Sequence, residues 1–406
     1  MDAGGGMRQV EYDVVIVGGG MVGATLALML AQRPGLRIAI VEAASPPQTD
    51  AHGFQPSFDG RSTALSRSTA QAFVQLGLWP EIRRYSQPIR HIEVSEQGRW
   101  GRVRLDAEEE GVEALGFVME NAWLGRLLYG ACTADAAIDW MSACRVQAID
   151  AVAGVQRVQV HSATDEFLLQ ARLLVAADGA HSSLRAAMQV ASDTFDYTQC
   201  AVVCNVESSE AHADRAYERF CHGEVLALLP RVDASRALIW TAPPARAREL
   251  ERAQEGEFLR QLGQRLGPAW GRWRARTAPV VYPLQRIIAR QQVQAGRVLL
   301  GNAAHFLHPV AGQGFNLCVR DAAALARTVH AQLERGGDPG DIASLRLYEE
   351  GRRRDQALIT TFSDRLVRLF AVDHALLSHL RSLGMSLFDL TPGSKTLLAR
   401  LSMGAL

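Results

Sequence analysis

The stretch Tyr12-Asp13-Val14-Val15-Ile16-Val17-Gly18-Gly19-Gly20-Met21-Val22-Gly23 decides the fold. Its first half is a continuous, largely β-branched apolar run, which is typical of a strand buried on both faces of a parallel sheet. Its second half fits the pattern GxGxxG and leads into residues of helical character, from Met21 to Gln32. Such glycines let the backbone approach a pyrophosphate, and the helix N-terminus supplies partial positive charge. The stretch therefore predicts a unit that binds a dinucleotide.

The next residues extend this unit to a βαβ motif. A second buried strand, Arg37 to Val41, ends at Glu42, where a carboxylate accepts hydrogen bonds from ribose hydroxyls. A GxGxxG pattern alone is a weak signal, and Glu42 alone fits a solvated strand end equally well. No second GxGxxG with a following acidic strand end is present, which argues against an enzyme that holds two dinucleotides.

Length and composition are those of a soluble enzyme with two domains, because 406 residues exceed one compact core. Lys+Arg and Asp+Glu both number 43, so no net charge favours nucleic acid as a partner. The six cysteines show no CxxC pair and no metal-like spacing, which predicts reduced thiols in the cytoplasm and no metal site. The apolar segment 14–31 has no basic residues leading into it and contains glycines, so we interpret it as strand and helix rather than a membrane span.

Two further motifs follow predicted buried strands. The first is Ala176-Ala177-Asp178-Gly179, although an Asp-Gly pair after a strand is by itself usually a turn. The second is Gly301-Asn302-Ala303-Ala304-His305, which continues through His308-Pro309 to the run Gly312-Gln313-Gly314-Phe315-Asn316 at the start of a helix. The N–H groups of such a helix start would stabilise the negative charge that gathers on a reduced flavin.

In this order and at these distances, the three motifs resemble those of the single-component FAD-dependent aromatic hydroxylases, over nearly the whole chain. Within that group the sequence is similar to the ubiquinone-biosynthesis hydroxylases. The shared stretches are Asp59-Gly60-Arg61, Ala64-Leu65-Ser66, Leu76-Gly77-Leu78-Trp79, Leu228-Leu229-Pro230, Tyr282-Pro283-Leu284 and Gly312 to Leu317. Gly301-Asn302 with Phe315 is most similar to the members that hydroxylate 2-polyprenyl-6-methoxyphenol.

The resemblance implies an α/β fold with a Rossmann-like FAD-binding domain of the aromatic-hydroxylase type, an antiparallel-sheet substrate domain and a helical C-terminus. We expect the FAD-binding domain to comprise residues 10–84, 118–190 and 283–340. The substrate domain would comprise 85–117 and 191–282, and the C-terminal helical region 341–406. One amphipathic helix is predicted from Glu249 to Leu266.

The resemblance also implies a role for individual residues. Gly18, Gly20, Gly23 and Glu42 would hold the ADP half of FAD, with Arg61 and Arg126 near the flavin or its phosphates. Asp178 would contact the pyrophosphate and ribityl region, in a stretch that also serves NAD(P)H, and Asn302 would reach the ribityl chain. Pro309, Gly312, Gln313, Gly314, Phe315 and Asn316 would border the isoalloxazine ring. No general acid or base is evident, so the catalytic residues stay unassigned beyond this flavin-proximal loop.

Two positions depart from the family pattern. Asn302 replaces the more widespread aspartate, and Cys318 stands where glycine is usual. We interpret His305 and His308 as structural rather than proton-transferring residues. The apolar C-terminal positions favour core or dimer packing over contact with a membrane or partner; they are Leu366, Leu369, Phe370, Leu376, Leu377 and Leu380.

The implied reaction is the hydroxylation of a polyprenylated phenol in ubiquinone biosynthesis through a flavin C4a-hydroperoxide, with O₂ and NAD(P)H as a transient co-substrate. The residues leave three alternatives open: an FAD-dependent hydroxylase of another aromatic compound, a flavin reductase on the same fold, or a non-catalytic flavin-binding subunit of a biosynthetic complex. We expect a cytoplasmic protein, with ubiquinone-biosynthesis partners and peripheral contact with the inner face of the membrane as further options.

Overall fold

The computed structural model describes residues 8–46, 61–309 and 312–371, and the positions 385–387, 389, 391, 393, 399, 403 and 404. The strands are β1 (Arg8–Val17), β2 (Ile38–Val41), β3 (Ser62–Ser66), β4 (Ser86–Ile89), β5 (His91–Glu96), β6 (Arg102–Asp106), β7 (Gly116–Glu120), β8 (Ile138–Met141), β9 (Arg145–Val152), β10 (Val155–His161), β11 (Glu166–Ala176), β12 (Ser192–Ser208), β13 (Arg215–Cys221), β14 (Glu224–Pro230), β15 (Arg236–Ala242), β16 (Trp273–Arg276), β17 (Val280–Ala289), β18 (Val293–Gln294), β19 (Arg297–Leu299) and β20 (His305–Phe306). The α-helices are α1 (Met21–Ala31), α2 (Arg67–Gln75), α3 (Trp79–Arg84), α4 (Asn121–Ala134), α5 (Ser183–Ala187), α6 (Pro244–Arg252), α7 (Glu255–Leu266), α8 (Gln313–Glu334) and α9 (Ile342–Ala371).

The first sheet contains the predicted βαβ unit. Its eight strands include the order β18-β19-β11-β1-β2-β8, and β10 and β9 continue from β11. The neighbours β19, β11, β1, β2 and β8 run parallel, and Val14 lies opposite both Ile38 and Leu173. Val14, Val15 and Ile16 are fully buried, as the apolar run predicts. The strand begins at Arg8, earlier than the predicted Tyr12, because its polar start still pairs with β11.

The second sheet is antiparallel apart from the parallel pair β13 and β5. Its nine strands follow the order β20-β17-β12-β15-β14-β13-β5-β6, with β16 paired to β12. The fully buried Trp240 packs with Phe258 and Leu262 of α7, so this helix covers one face of the sheet. Burial of these side chains joins the amphipathic helix to the strands.

The predicted single helix from Glu249 to Leu266 is wrong. Two helices occupy this segment, because Ala253 and Gln254 between them adopt extended backbone conformations with ψ of 138° and 151°. The acidic side chains of Glu255 and Glu257 then stand in the first turn of α7, where they stabilise its positive end. The apolar spacing indicated the helical faces but did not reveal the break.

A third, three-stranded sheet has the order β3-β7-β4. Helix α8 packs against α1, α2 and β3, and α9 packs on α8. Leu366 of α9 contacts a cluster that contains Val103 and Phe220. The side chains of Leu369 and Phe370, and residues 376, 377 and 380, lie outside the described part of the chain.

The predicted α/β fold is confirmed, with its Rossmann-like unit, antiparallel second sheet and helical C-terminal part. The domain limits stay a prediction. Among the described helices, none is both long and apolar enough to cross a membrane.

Candidate active site

The glycine loop between β1 and α1 is packed so tightly that side chains are excluded. Gly18 has φ of +105°, and a Cβ there would lie 2.4 Å from the carbonyl oxygen of Ala177. A Cβ on Gly23 would lie 2.0 Å from the carbonyl oxygen of Gly18. Gly20 is the extended N-cap residue of α1 and offers no side-chain cap. The N–H groups of the first turn of α1 are therefore available to an anion.

Glu42 lies beside this loop at the end of β2. Its carboxylate accepts hydrogen bonds from the backbone N–H groups of Gly19 (2.6 Å) and Ala44 (2.8 Å). These two bonds orient the carboxylate. Trp140 of β8 packs on the same loop, since a Cβ on Gly19 would lie 2.5 Å from its ring. The sequence analysis missed Trp140, because its contact arises only when β8 pairs with β2.

Asp178 follows β11 and therefore lies at the same edge of the sheet as the glycine loop. Its Oδ2 accepts hydrogen bonds from the hydroxyl of Ser183 (3.2 Å) and the N–H of Leu184 (3.1 Å). Its Oδ1 is buried and has no hydrogen-bond partner within the described ranges. A buried carboxylate oxygen without a donor is costly, so a donor from a bound ligand is expected there.

Arg185 joins the second motif to the third. Its guanidinium donates to the carbonyl oxygens of Ala180 and Ala303, both at 2.9 Å. The residue belongs to the second motif, but the sequence analysis assigned it no role. Both of its acceptors are backbone groups that no sequence pattern marks.

The third motif begins with a short 3₁₀ turn, Gly301–Ala303, directly after β19. Gly301 has φ of +63°, and a Cβ there would lie 3.0 Å from a methyl group of Val22 in α1. Asn302 is exposed on this turn. The parallel strands thus bring Gly18, Gly20, Gly23, Glu42, Asp178 and Asn302 to one edge of the first sheet.

Helix α8 begins at Gln313, three residues before the predicted start at Asn316, with Gly312 as a left-handed N-cap residue. Asn316 is buried, and its Oδ1 accepts from the N–H of Ser66 and the hydroxyl of Thr69, both at 2.8 Å. Its Nδ2 donates to the carbonyl oxygens of Ala64 (2.9 Å) and Gly312 (3.0 Å). The side-chain amide therefore positions the loop, and a direct contact with the flavin ring stays a prediction.

The other residues of this loop occupy different environments. A Cβ on Gly314 would meet nothing within 4 Å, so space is open beside the helix start. Phe315 packs against the core beneath α1, whereas Gln313 is buried and Pro309 is exposed. Cys318 is buried, which raises the pKa of its thiol and disfavours a reactive thiolate.

The two arginines predicted near the cofactor lie on other elements. The guanidinium of Arg61, just before β3, stacks over the ring of Tyr282 in β17 at 4.6 Å. Arg126 lies in α4, with its guanidinium 5.3 Å from the ring centre of Trp123. Their role toward FAD stays a prediction.

A buried ionic network underlies the third motif. His305 Nε2 donates to Asp321 Oδ2 at 2.5 Å, and Arg352 Nε donates to Asp321 Oδ1 at 2.5 Å. Arg352 and Arg320 also pair with Asp355. Burial acts to raise the pKa of Asp321, but the bond from His305 and the charge of Arg352 outweigh it, so that pKa is lowered. The network ties β20, α8 and α9 together on both sides of the loop at 307–312.

His308 lies within that loop and is also buried. Its ring packs edge-on against Tyr197 of β12 at 4.9 Å, and the Tyr197 hydroxyl donates to Asp364 of α9. Arg286 forms an ion pair with the same carboxylate. Burial lowers the pKa of His308 to about 4, so its ring is neutral near pH 7. Both histidines are thus held by neighbouring side chains beside the loop.

These features fit FAD. The first turn of α1 suits a pyrophosphate, Asp178 Oδ1 awaits a donor, and Gly314 leaves open space at the start of α8. Within the described residues, no group of three or more His, Cys, Asp or Glu is arranged to hold a metal ion.

A family model described as an FAD binding domain matches residues 11–363. The chain belongs to this family. Its relatives include the ubiquinone hydroxylase UbiL of Rhodospirillum rubrum, which is 33% identical over 97% of this chain and 90% of the relative. The 3-demethoxyubiquinol 3-hydroxylase of Escherichia coli is 29% identical over 93% of this chain and 95% of the relative. The predicted membership of the FAD-dependent hydroxylases, with FAD as the cofactor, is confirmed.

Solved structures of low sequence identity share the fold. The p-nitrophenol 4-monooxygenase PnpA of Pseudomonas putida aligns with a TM-score of 0.79 at 19% identity, and the alignment covers 97% of each chain. An FAD complex of HpxO from Klebsiella pneumoniae aligns with a TM-score of 0.73 at 18% identity over 97% of each of this chain's residues and 99% of that chain. The enzyme therefore has the fold of the FAD-dependent aromatic monooxygenases.

Proposed function

We propose that this enzyme hydroxylates the ring of a polyprenylated phenol in ubiquinone biosynthesis, with NAD(P)H as the electron donor and O₂ as the oxygen source. The observation that carries the proposal is the similarity, over nearly the whole length of both chains, to a ubiquinone hydroxylase. The resemblance of Gly301-Asn302 and Phe315 to the corresponding family members favours 2-polyprenyl-6-methoxyphenol as the substrate. Bound FAD, once reduced, supplies the activation of O₂ that the protein's own side chains lack.

The edge of the first sheet would hold the ADP half of FAD. The first-turn N–H groups of α1 would bind the pyrophosphate, and Glu42, oriented by Gly19 and Ala44, would accept from ribose hydroxyls. Asp178 Oδ1 would accept a further hydrogen bond from the cofactor. Arg185 keeps this part of the site in register with the turn at 301–303.

The start of α8 would lie near the flavin. Its positive end stabilises negative charge on a reduced ring, and Asn316 fixes the left-handed Gly312 that begins the helix. The neutral ring of His308 and its partner Tyr197 pack against each other behind this loop. Their packing would help to exclude water, which protects reactive species formed during oxygen transfer.

The test is to profile quinones by mass spectrometry in an aerobically grown strain that lacks this chain. We expect 2-polyprenyl-6-methoxyphenol to accumulate and the wild-type chain to restore ubiquinone. Gly20→Asp should fail to restore it, because Asp suits the extended N-cap position but places negative charge where the pyrophosphate binds. Gly256→Asp is the matched control, since Gly256 is exposed in the first turn of α7 with open space around it.

Normal ubiquinone in the deletion strain would contradict the pathway assignment. With the purified enzyme, O₂ consumption that matches hydroxylated product supports a monooxygenase. Double-bond reduction without O₂ would indicate a flavin reductase instead. A bound FAD that NAD(P)H does not reduce, even with the phenol present, would indicate a non-catalytic subunit.

A further inference from the structure

Helix α9 presents two different faces. Leu345, Tyr348 and Ile359 are buried on the inner face, where α9 packs on α8. The outer face is exposed from Ala343 to Arg365. Because an α-helix has about 3.6 residues per turn, positions 347, 354, 358 and 365 project along one line of that face.

This line alternates leucine with arginine. Leu347 is 69% exposed and Leu358 is 44% exposed, values that are unusual for residues of this size. Arg354 and Arg365 lie between and beyond them and are exposed as well. Such an alternation places apolar and cationic groups at the same height above the protein surface.

The arginines of this face lack ionic partners. Arg346, Arg353, Arg354 and Arg365 are exposed and form no ion pair within the described ranges. Arginines on α6 and α7 behave differently, because Arg246 and Arg260 pair with neighbouring glutamates. Glu350 is the acidic residue on the exposed face, so the face is strongly cationic although the whole chain has a formal net charge of zero.

We propose that the outer face of α9 binds the surface of a membrane that contains anionic lipids. Arginines at this position would contact lipid phosphates, and Leu347 and Leu358 would enter the boundary between headgroups and acyl chains. Charge complementarity favours an anionic lipid surface, and the exposed leucines distinguish it from a purely ionic contact. The location extends the proposed function, because a phenol with a polyprenyl tail resides in such a membrane.

The test is co-sedimentation of the full-length, FAD-loaded enzyme with vesicles of phosphatidylcholine, either pure or with phosphatidylglycerol. We expect binding to the anionic vesicles that decreases as salt is raised. Arg354→Gln with Arg365→Gln should lower the partition coefficient about 30-fold, since each arginine near such a surface contributes about 1 kcal/mol. Leu347→Ser should weaken binding at low salt too, because it removes buried apolar area.

The matched control is Arg248→Gln with Arg252→Gln, which removes the same charge from the exposed side of α6. This control should bind like the wild type. The proposal is overturned if the wild type does not bind anionic vesicles, or if both double variants lose binding equally. Enzyme that ignores vesicles but binds an acidic protein through α9 would also overturn it. No substrate is present in the assay, so these outcomes leave the proposed hydroxylation untouched.

Discussion

Asp321→Asn tests whether the buried network beneath the third motif stabilises the enzyme. The carboxylate is 1% exposed and accepts from both His305 and Arg352. Asparagine has almost the same shape but only one acceptor oxygen, so one donor loses its partner and the negative charge disappears. Removing one partner of a buried ion pair costs about 3–5 kcal/mol. Arg352 keeps its pairing with Asp355, which places the expected cost near about 3 kcal/mol.

The measurement is urea unfolding of the FAD-loaded enzyme, followed by tryptophan fluorescence at constant FAD concentration. With an m-value of about 3 kcal/mol/M, the midpoint should fall by about 1 M. Asp193→Asn is the matched control, because Asp193 and Arg290 form an ion pair in which the side chains are 60% and 67% exposed. Such a pair contributes less than about 1 kcal/mol, so its midpoint should fall by no more than about 0.3 M.

Equal shifts for the two variants would refute the reasoning, because burial would then add nothing to the ion pair. A double-mutant cycle with His305→Gln gives a second check. Since both residues belong to one network, their effects should be non-additive by about 1 kcal/mol or more. Additive effects would show that His305 and Asp321 act independently.

Two further predictions concern the glycine loop and acid stability. Gly23→Ala should abolish FAD retention during purification, because its Cβ would lie 2.0 Å from the Gly18 carbonyl oxygen, whereas Gly130→Ala in α4 meets nothing within 4 Å and should retain the yellow cofactor. The folded-state pKa values of Asp321 and Asp355 are lowered, so their stabilisation is present above about pH 4, the ordinary aspartate value, and is lost as pH falls through the folded-state values. Thermal unfolding between pH 5 and pH 3 should therefore show a smaller loss of stability in Asp321→Asn than in the wild type; an equal loss would contradict this assignment.

Local patterns in the sequence determined much of the first sheet and its edge. The apolar run before Gly18, the spacing to Glu42 and the Asp178 turn depend on residues close together in the chain. Parallel pairing then brings strand ends to one edge of a sheet by geometry alone, so the meeting of these motifs was predictable. The predicted helix from Asn121 to Ala134 also agrees with α4 residue for residue.

Tertiary structure alone decided the contacts between distant segments. Trp140 reaches Gly19 only through the pairing of β2 with β8, and Arg185 joins two turns through backbone carbonyls that carry no sequence signature. The ionic network of Asp321 requires α8 and α9 to pack together. The sequence by itself determined which backbone loops can approach a dinucleotide, because that property is local. Which side chains hold those loops in place was decided by packing, because partners far apart in the chain meet only in the folded protein.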